Sequence, residues 1–249
     1  MDKIVSELSL NNFQLVYNLV SLSIAAMLGT FVFLIFQRRS VAPAYRTAIT
    51  LSMVVLFIAA YHYLRIFDSW SDDYLFGILP FNEGYRYVDW LITVPLLLAE
   101  LVLVLRLDKE KTRSLIARLA VASILMIALG YPGEMSPNGS TARIVWGIVS
   151  LIPFLYILYV LFVEMTKSLD NQPAGIKSLV SGLRWIILIT WSFYPIAYFI
   201  PVIDGGVTGD VIRQSGYSIA DILSKPAFCL VVYLIARRKS AADNFSEAD

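Results

Sequence analysis

The sequence predicts an all-α membrane protein, a bundle of seven transmembrane helices whose N-terminus lies outside and whose C-terminus is cytoplasmic. Two observations support this. Hydrophobic residues make up 58% of the 249 residues, and charged residues only 16%, where a soluble domain has roughly 25%. Seven stretches are also apolar over about 20 residues, the length that a helix needs to cross a bilayer. They are residues 13–36, 46–67, 85–106, 113–131, 142–166, 178–200 and 213–236.

Helices are favoured over a barrel because a helix satisfies its own backbone hydrogen bonds in lipid. A transmembrane barrel would need alternating segments of about ten residues, and the sequence has no such pattern. The connections between the apolar stretches are short, so we expect a single domain over residues 1–249. A net charge of +1 gives no indication of a nucleic-acid partner. We expect no metal site.

The distribution of basic residues predicts the orientation, since Lys and Arg favour the cytoplasmic side of a membrane. Basic residues concentrate in the connections at 37–46, 106–113 and 167–184 and in the tail after 236. The other connections are acidic. Their acidic residues are Asp68, Asp72, Asp73, Glu83, Glu134, Asp204 and Asp210.

Ionisable residues inside the spans are costly in lipid and usually mark a functional site. In the third span, Asp89, Thr93 and Glu100 share one helix face, and Asp89 and Glu100 lie ~16 Å apart along the axis. Arg86 lies about one turn before Asp89. This graded column favours proton exchange, although for any single pair an ion pair that locks two helices together is an alternative.

Lys225 lies in the middle of the seventh span, with 11 residues between it and Arg237 in the basic tail, too deep to extend comfortably to the surface. A desolvated lysine can form a Schiff base with an aldehyde. The protonated form then needs an anionic partner. Asp221, one helical turn away, and Asp89 are both candidates.

Three motifs resemble those of microbial rhodopsins: RYVDWLITVPLLL in the third span, WSFYP in the sixth and DILSK in the seventh. The resemblance covers essentially the whole chain. It implies all-trans retinal bound to Lys225 as a protonated Schiff base, which makes the protein a light-driven transporter rather than an enzyme.

The set Asp89, Thr93 and Glu100 resembles that of proteorhodopsins and xanthorhodopsins, which are bacterial outward proton pumps. The resemblance implies that Asp89 is the counterion and primary proton acceptor and that Glu100 is the cytoplasmic proton donor. Sodium and chloride pumps carry other residues at these positions.

The resemblance gives roles to three further residues. Asp221 is expected to be the second counterion, and Arg86 to stabilise the carboxylate pair and help expel the proton. His62 is expected to bond the acceptor Asp89, and a bridge between subunits is its alternative. A purely structural role is the commoner one for a lone buried histidine.

The family's retinal-lining positions also have matching residues in this chain. Leu97 matches a colour-tuning position at which leucine accompanies green absorption, and Tyr198 replaces a tryptophan of the archaeal pumps. Ordinary packing is the alternative for such aromatic residues. The predicted lining consists of Trp90, Leu97, Trp191, Tyr194, Pro195, Tyr198 and Tyr217.

Gly147 in the fifth span falls where archaeal pumps carry a bulky tryptophan. In xanthorhodopsin-like proteins a glycine here opens a window against which a carotenoid antenna can lie. The resemblance therefore implies a hydroxylated carotenoid as a second cofactor. A helix-packing glycine, common in membrane helices, is the alternative.

The resemblance also implies a location and partners: the inner (plasma) membrane of a prokaryote, with the lipid bilayer and protons as partners and a homo-oligomer between trimer and hexamer. Residues 203–221 lack the pair of glutamates that releases protons in archaeal pumps, so proton release is expected to follow uptake. The alternative function is a retinal photosensor with a separate partner, although no soluble transducer is evident. A sodium or chloride pump and a non-photochemical seven-helix protein are disfavoured.

Overall fold

The computed structural model describes residues 8–76, 80–169, 172 and 174–245, so both ends of the predicted domain lie outside the described residues. Seven helices in this part are long and apolar enough to cross a membrane, which confirms the predicted fold class. No strand occurs among the described residues. The helices are α1 Leu10–Gln37, α2 Arg46–Phe76, α3 Gly84–Leu105, α4 Lys109–Glu134, α5 Thr141–Leu169, α6 Ala174–Ile203 and α7 Val207–Ala242.

Local sequence signals fix several helix ends. The Ser9 side chain accepts a hydrogen bond from the Asn12 amide at the start of α1, and the Asp108 side chain accepts one from the Lys111 amide at the start of α4. Both satisfy backbone donors that a first helical turn leaves free. Arg106 ends α3 in the left-handed conformation, with φ at 56°.

The helices form a closed bundle in which α3 and α7 are the most enclosed. Consecutive helices pack side by side, and α7 packs against both α1 and α6. In their most apolar windows, 67% of α3 and 61% of α7 are buried, against 22% of α1. The carboxylates and the lysine predicted for the site therefore lie on the two central helices. The outer helices present apolar faces to lipid.

Helix α7 changes from α-helical to π-helical winding at Lys225. Residues Leu223–Ala227 form a π-helical turn between two α-helical parts, Val207–Ile222 and Phe228–Ala242. Pro226 lies in this turn and has no amide hydrogen to donate, so one backbone hydrogen bond of a regular α-helix is missing there. Such wide turns are frequent at functional sites.

Candidate functional site

The amine of Lys225 sits between two carboxylates. Nζ donates a hydrogen bond to Asp221 Oδ1 at 2.6 Å and lies 3.1 Å from Asp89 Oδ2. Asp221 precedes the lysine by one turn of α7, while Asp89 reaches it from α3. All three side chains are at most 1% exposed. Since water cannot screen the lysine's charge there, the two anions balance it.

The two carboxylates are held differently. Asp221 also accepts hydrogen bonds from Tyr194 at 2.5 Å and from Tyr63 at 2.6 Å. Apart from the ion-pair contact with Lys225 Nζ, neither oxygen of Asp89 has a hydrogen-bond partner among the described residues, and the Thr93 hydroxyl donates to the backbone carbonyl of Asp89 instead. Hydrogen bonds stabilise the charged form of a carboxylate. Asp221 is therefore firmly held as an anion, while Asp89 depends on the charge of the amine.

Arg86 is the second cation of the site and is 1% exposed. Nη1 donates to the Tyr63 hydroxyl at 3.1 Å and lies 4.0 Å from Asp221 Oδ2, and Nη2 donates to Gln214 Oε1 at 2.9 Å. The guanidinium also lies over the rings of Tyr63 and Tyr217. Arg86 thus links the carboxylates beside the lysine to Gln214, which lies nearer to the N-terminal end of α7.

His62 does not make the hydrogen bond expected from the sequence. Its Nδ1 is buried and lacks a partner among the described residues, as do both oxygens of Asp89. The inward position on this turn of α2 belongs to Tyr63, and a neighbouring residue on a helix points about 100° away from it. His62 packs instead against the edge of the Tyr61 ring. Its role as a partner of Asp89 stays a prediction.

Glu100 lies alone in the C-terminal half of α3. It is fully buried, Oε1 accepts one weak hydrogen bond from the Cys229 thiol at 3.5 Å, and Oε2 has no partner in the described part of the chain. Its enclosed neighbours on α3 include Leu97 and Leu101. No cation lies within ion-pair distance of it in the described ranges. A buried carboxyl in such surroundings is accommodated far more cheaply with its proton than without it.

A largely apolar cavity adjoins the lysine. Its wall is formed mostly by aromatic and aliphatic side chains of α3 to α7, with the Lys225 side chain among them. Every residue predicted to line a cofactor pocket borders this cavity. These residues are Trp90, Leu97, Gly147, Trp191, Tyr194, Pro195, Tyr198, Tyr217 and Lys225.

Gly147 borders the cavity, but its α-carbon is covered. A Cβ atom there would lie 2.5 Å from Cε1 of Tyr198 and 2.7 Å from Cζ of Phe199. Two rings of α6 therefore occupy the space that the missing side chain leaves. This close approach of α5 and α6 favours the packing alternative, and an open window at this point would require the two rings to turn aside.

The structure adds four polar residues that sequence reasoning did not select: Tyr63, Gln214, Ser224 and Cys229. Tyr63 is the neighbour of the selected His62, and helix geometry alone could not choose between them. Gln214 had a usable signal, since it precedes Asp221 by seven residues and so shares its helix face. Ser224 is bonded to the Tyr194 hydroxyl at 2.7 Å.

Fold and site together define a seven-helix membrane protein built around a buried lysine with two carboxylate partners. The chain belongs to the bacteriorhodopsin-like protein family, which it matches over residues 14–238. It is 31% identical to the green-light absorbing proteorhodopsin of gamma-proteobacterium EBAC31A08 over 218 residues, covering 87% of this chain and 84% of that protein.

Two solved structures are more similar in sequence. The crystallographic structure of xanthorhodopsin, described as a light-driven ion pump with dual chromophore, is 43% identical, with a TM-score of 0.91 over 96% of this chain and 98% of that one. A thermophilic rhodopsin is 46% identical, with the same TM-score and the same coverage.

Replacing Tyr63 tests how far the acidic centre depends on its hydrogen bonds. Tyr63→Phe removes the donor to Asp221 and the acceptor for Arg86, so we expect the free energy of unfolding to fall by about 1–3 kcal/mol. Thermal unfolding in detergent measures this. Tyr61→Phe, at a side chain that is 55% exposed, is the control and should melt like the unchanged protein. Equal melting temperatures for both variants would contradict the expectation.

Proposed function

We propose that the protein is a light-driven outward proton pump with all-trans retinal attached to Lys225. The observation that carries this proposal is the amine of Lys225, buried between Asp89 and Asp221 at the wall of an apolar cavity. Membership of the bacteriorhodopsin-like family, and similarity to a proteorhodopsin and to a light-driven ion pump, support it.

The lining of the cavity fits an apolar polyene aldehyde. Flat aromatic side chains such as Trp90 and Trp191 border it, and Trp90 lies edge-on to the rings of Tyr194 and Tyr217. Bound to Lys225 as a protonated Schiff base, retinal would supply light absorption and a light-driven isomerisation. Leu97 borders the cavity, in keeping with the green absorption predicted from the sequence.

Asp89 takes the proton from Lys225 Nζ. Of the two carboxylates at the amine, it is the one without other donors, so protonation costs it no hydrogen bond. Asp221 would lose the bonds from Tyr63 and Tyr194. It therefore stays charged and keeps a counterion beside the amine after the transfer.

Glu100 returns a proton to Lys225 Nζ from the cytoplasmic side. Its burial without a cation favours the protonated carboxyl, which is the state a donor must have before light arrives. Cys229, two residues beyond the π turn of α7, donates a weak hydrogen bond to it. Donor and acceptor thus lie on opposite sides of the lysine along α3, as a directional pump requires.

The same proposal covers the surroundings of the protein. We infer a multi-pass protein in the plasma membrane of a prokaryote, with the N-terminus outside. The predicted homo-oligomer of three to six copies remains part of this proposal. The lipid bilayer and protons are its expected partners.

Illuminating cells that express the protein tests the function. We expect external acidification that a protonophore abolishes, and none from Asp89→Asn, whose absorption should also shift to longer wavelength because the counterion is neutral. Asp72→Asn, at an exposed carboxylate, is the matched control and should pump normally. Light-dependent spectral changes without acidification would favour the photosensor, and alkalinisation enhanced by a protonophore would favour another ion.

Replacing Glu100 tests the donor. Glu100→Gln should keep the colour but slow the return of a proton to Lys225 Nζ by on the order of 10²-fold, because a positioned proton donor is lost. Flash photolysis follows this step. Added azide, a small diffusible acid, should restore the rate. The control is Glu110→Gln on the exposed first turn of α4; unchanged kinetics in Glu100→Gln would remove Glu100 from this role.

We also propose a hydroxylated carotenoid as an antenna against Gly147. The support is that Gly147, Tyr198 and Phe199 border the cavity of Lys225 and that a relative with 43% identity has a dual chromophore. Binding would have to displace the rings of Tyr198 and Phe199 that now cover the glycine.

Mixing the purified, retinal-loaded protein with such a carotenoid tests this antenna. We expect new structured absorption bands and energy transfer to the main chromophore. Both should disappear in Gly147→Trp but persist in Gly182→Trp, where no atom lies within 4 Å of the added Cβ position. If the unchanged protein and Gly147→Trp behave identically, the glycine serves packing alone.

A further inference from the structure

A second group of charges lies at the N-terminal ends of α3 and α7, which is the predicted outer side. We call it the outer ion network: Glu83, Glu134, Arg143, Asp210 and Arg213. Arg213 Nη2 lies 2.6 Å from Glu83 Oε1 and 2.6 Å from Asp210 Oδ1, and its Nη1 contacts Glu134. Arg143 pairs with Glu134 at 2.8 Å. Residues from four different parts of the chain meet here.

Gln214 joins this network to the lysine centre. Its Nε2 donates to Glu83 Oε1 at 2.6 Å, and its Oε1 accepts from Arg86 Nη2 at 2.9 Å. Arg86 in turn donates to Tyr63, which is bonded to Asp221. The chain of hydrogen bonds therefore runs unbroken from the carboxylate beside the amine to Glu83.

The solvent exposure of the side chains rises along this path of hydrogen bonds. The side chains of Asp221 and Arg86 are 0% and 1% exposed, whereas those of Glu83 and Asp210 are 14% and 21% exposed. The chain thus begins in a sealed interior and ends where water reaches it. The Nε atoms of Arg86 and Arg213 are buried without partners among the described residues, which leaves each a donor for a water molecule.

The charges of the lysine centre and of the outer ion network do not balance when all of their groups are ionised. There is one more carboxylate than there are cations, so the arrangement is most stable when one carboxyl keeps a proton. Asp73 of α2, within electrostatic range of Asp210, adds to the negative side. The carboxylates are Asp89, Asp221, Glu83, Glu134 and Asp210, and the cations are Lys225, Arg86, Arg143 and Arg213.

Glu83 is the best place for that proton. Glu134 contacts both arginines of the network and also accepts from the Tyr87 hydroxyl. Glu83 instead shares Arg213 with two other carboxylates, and its second donor, Gln214, is neutral. Burial raises the pKa of the Glu83 carboxyl to about 7, against the opposing effect of Arg213 and with support from the neighbouring carboxylates.

We propose that Glu83 is the group that releases the proton to the outside and that Gln214 links its release to the lysine centre. The proposal rests on the pump proposed above. The transfer of a proton from Lys225 Nζ to Asp89 leaves the net charge of the inner site unchanged. When Glu100 then returns a proton to Nζ, the inner site becomes one unit less negative and holds Arg86 less strongly. The positive charge of Arg86 then acts more on Glu83 through Gln214, and the Glu83 proton leaves to water. The proton on Asp89 later restores Glu83.

This proposal reverses the order of proton release expected from the sequence. That expectation rested on the missing glutamate pair in residues 203–221. The structure brings Glu83 and Glu134 to the same arginine from other parts of the chain. Release is then expected before uptake, as long as Glu83 is protonated in the dark.

An infrared titration tests the proton on Glu83 without any pumping. In the dark, and also in the retinal-free protein, we expect one carboxyl band that titrates near pH 7. Glu83→Gln should remove it. Asp204→Asn, at an exposed carboxylate outside the network, should keep it. A band of the same midpoint in Glu83→Gln, or no such band in the unchanged protein, would overturn the assignment.

Flash photolysis with a pH-sensitive dye tests the release step on the loaded protein. At a pH about one unit below the pKa of Glu83, the carboxyl carries its proton, so release should come before uptake. At a pH about one unit above that pKa, the proton is already lost, so uptake should come first. Glu83→Gln should show uptake first throughout. Gln214→Met should lose early release while the infrared band remains.

The two proposals fail in different ways. If illuminated cells show no acidification but the infrared band depends on Glu83, the pump proposal fails and the proton assignment stands. If the cells acidify the medium while Glu83→Gln releases its proton as early as the unchanged protein does, the pump stands and Glu83 is not the release group.

Discussion

The ion pair of Lys225 with two carboxylates is the constraint on which the rest of the structure depends. A cation with 1% exposure in the middle of a bundle must be balanced by nearby anions. Two anions for one cation then demand further compensation, which Tyr63 and Arg86 supply around Asp221. Helices α3 and α7 have to lie at the centre of the bundle to bring these groups together, and the apolar faces of the outer helices are left for lipid.

The two sides of the lysine differ in a way that suits directional transport. Toward the N-terminal ends of α3 and α7, hydrogen bonds continue through Arg86 and Gln214 to partly exposed carboxylates. Toward the other end, Glu100 has one weak thiol contact within the described residues. A connected polar path on one side and few polar contacts on the other would let a proton leave the centre more easily in one direction than it can return, as the proposed pump requires.

The cavity beside the lysine shows how one position can support two interpretations. The resemblance to xanthorhodopsin-like proteins predicts an open wall at Gly147, yet the structure shows rings of Tyr198 and Phe199 against it. Both facts follow from the absence of a side chain, which permits a close neighbour of any kind. Whether that neighbour is an aromatic ring of α6 or a second pigment depends on the relative free energies of packing and binding, and a residue type alone does not reveal these.

The sequence by itself determined the seven spans, the shared face of Asp89 and Glu100, and the one-turn spacing of Asp221 and Lys225, because apolar length and helical periodicity are local properties. All the residues predicted for the cavity border it in the structure. The tertiary structure alone decided which of His62 and Tyr63 faces Asp221, how Gln214 bridges two charged groups, and that Glu83 and Glu134 share Arg213. These depend on the rotation and register of one helix against another, which are set by side-chain packing between segments far apart in the chain.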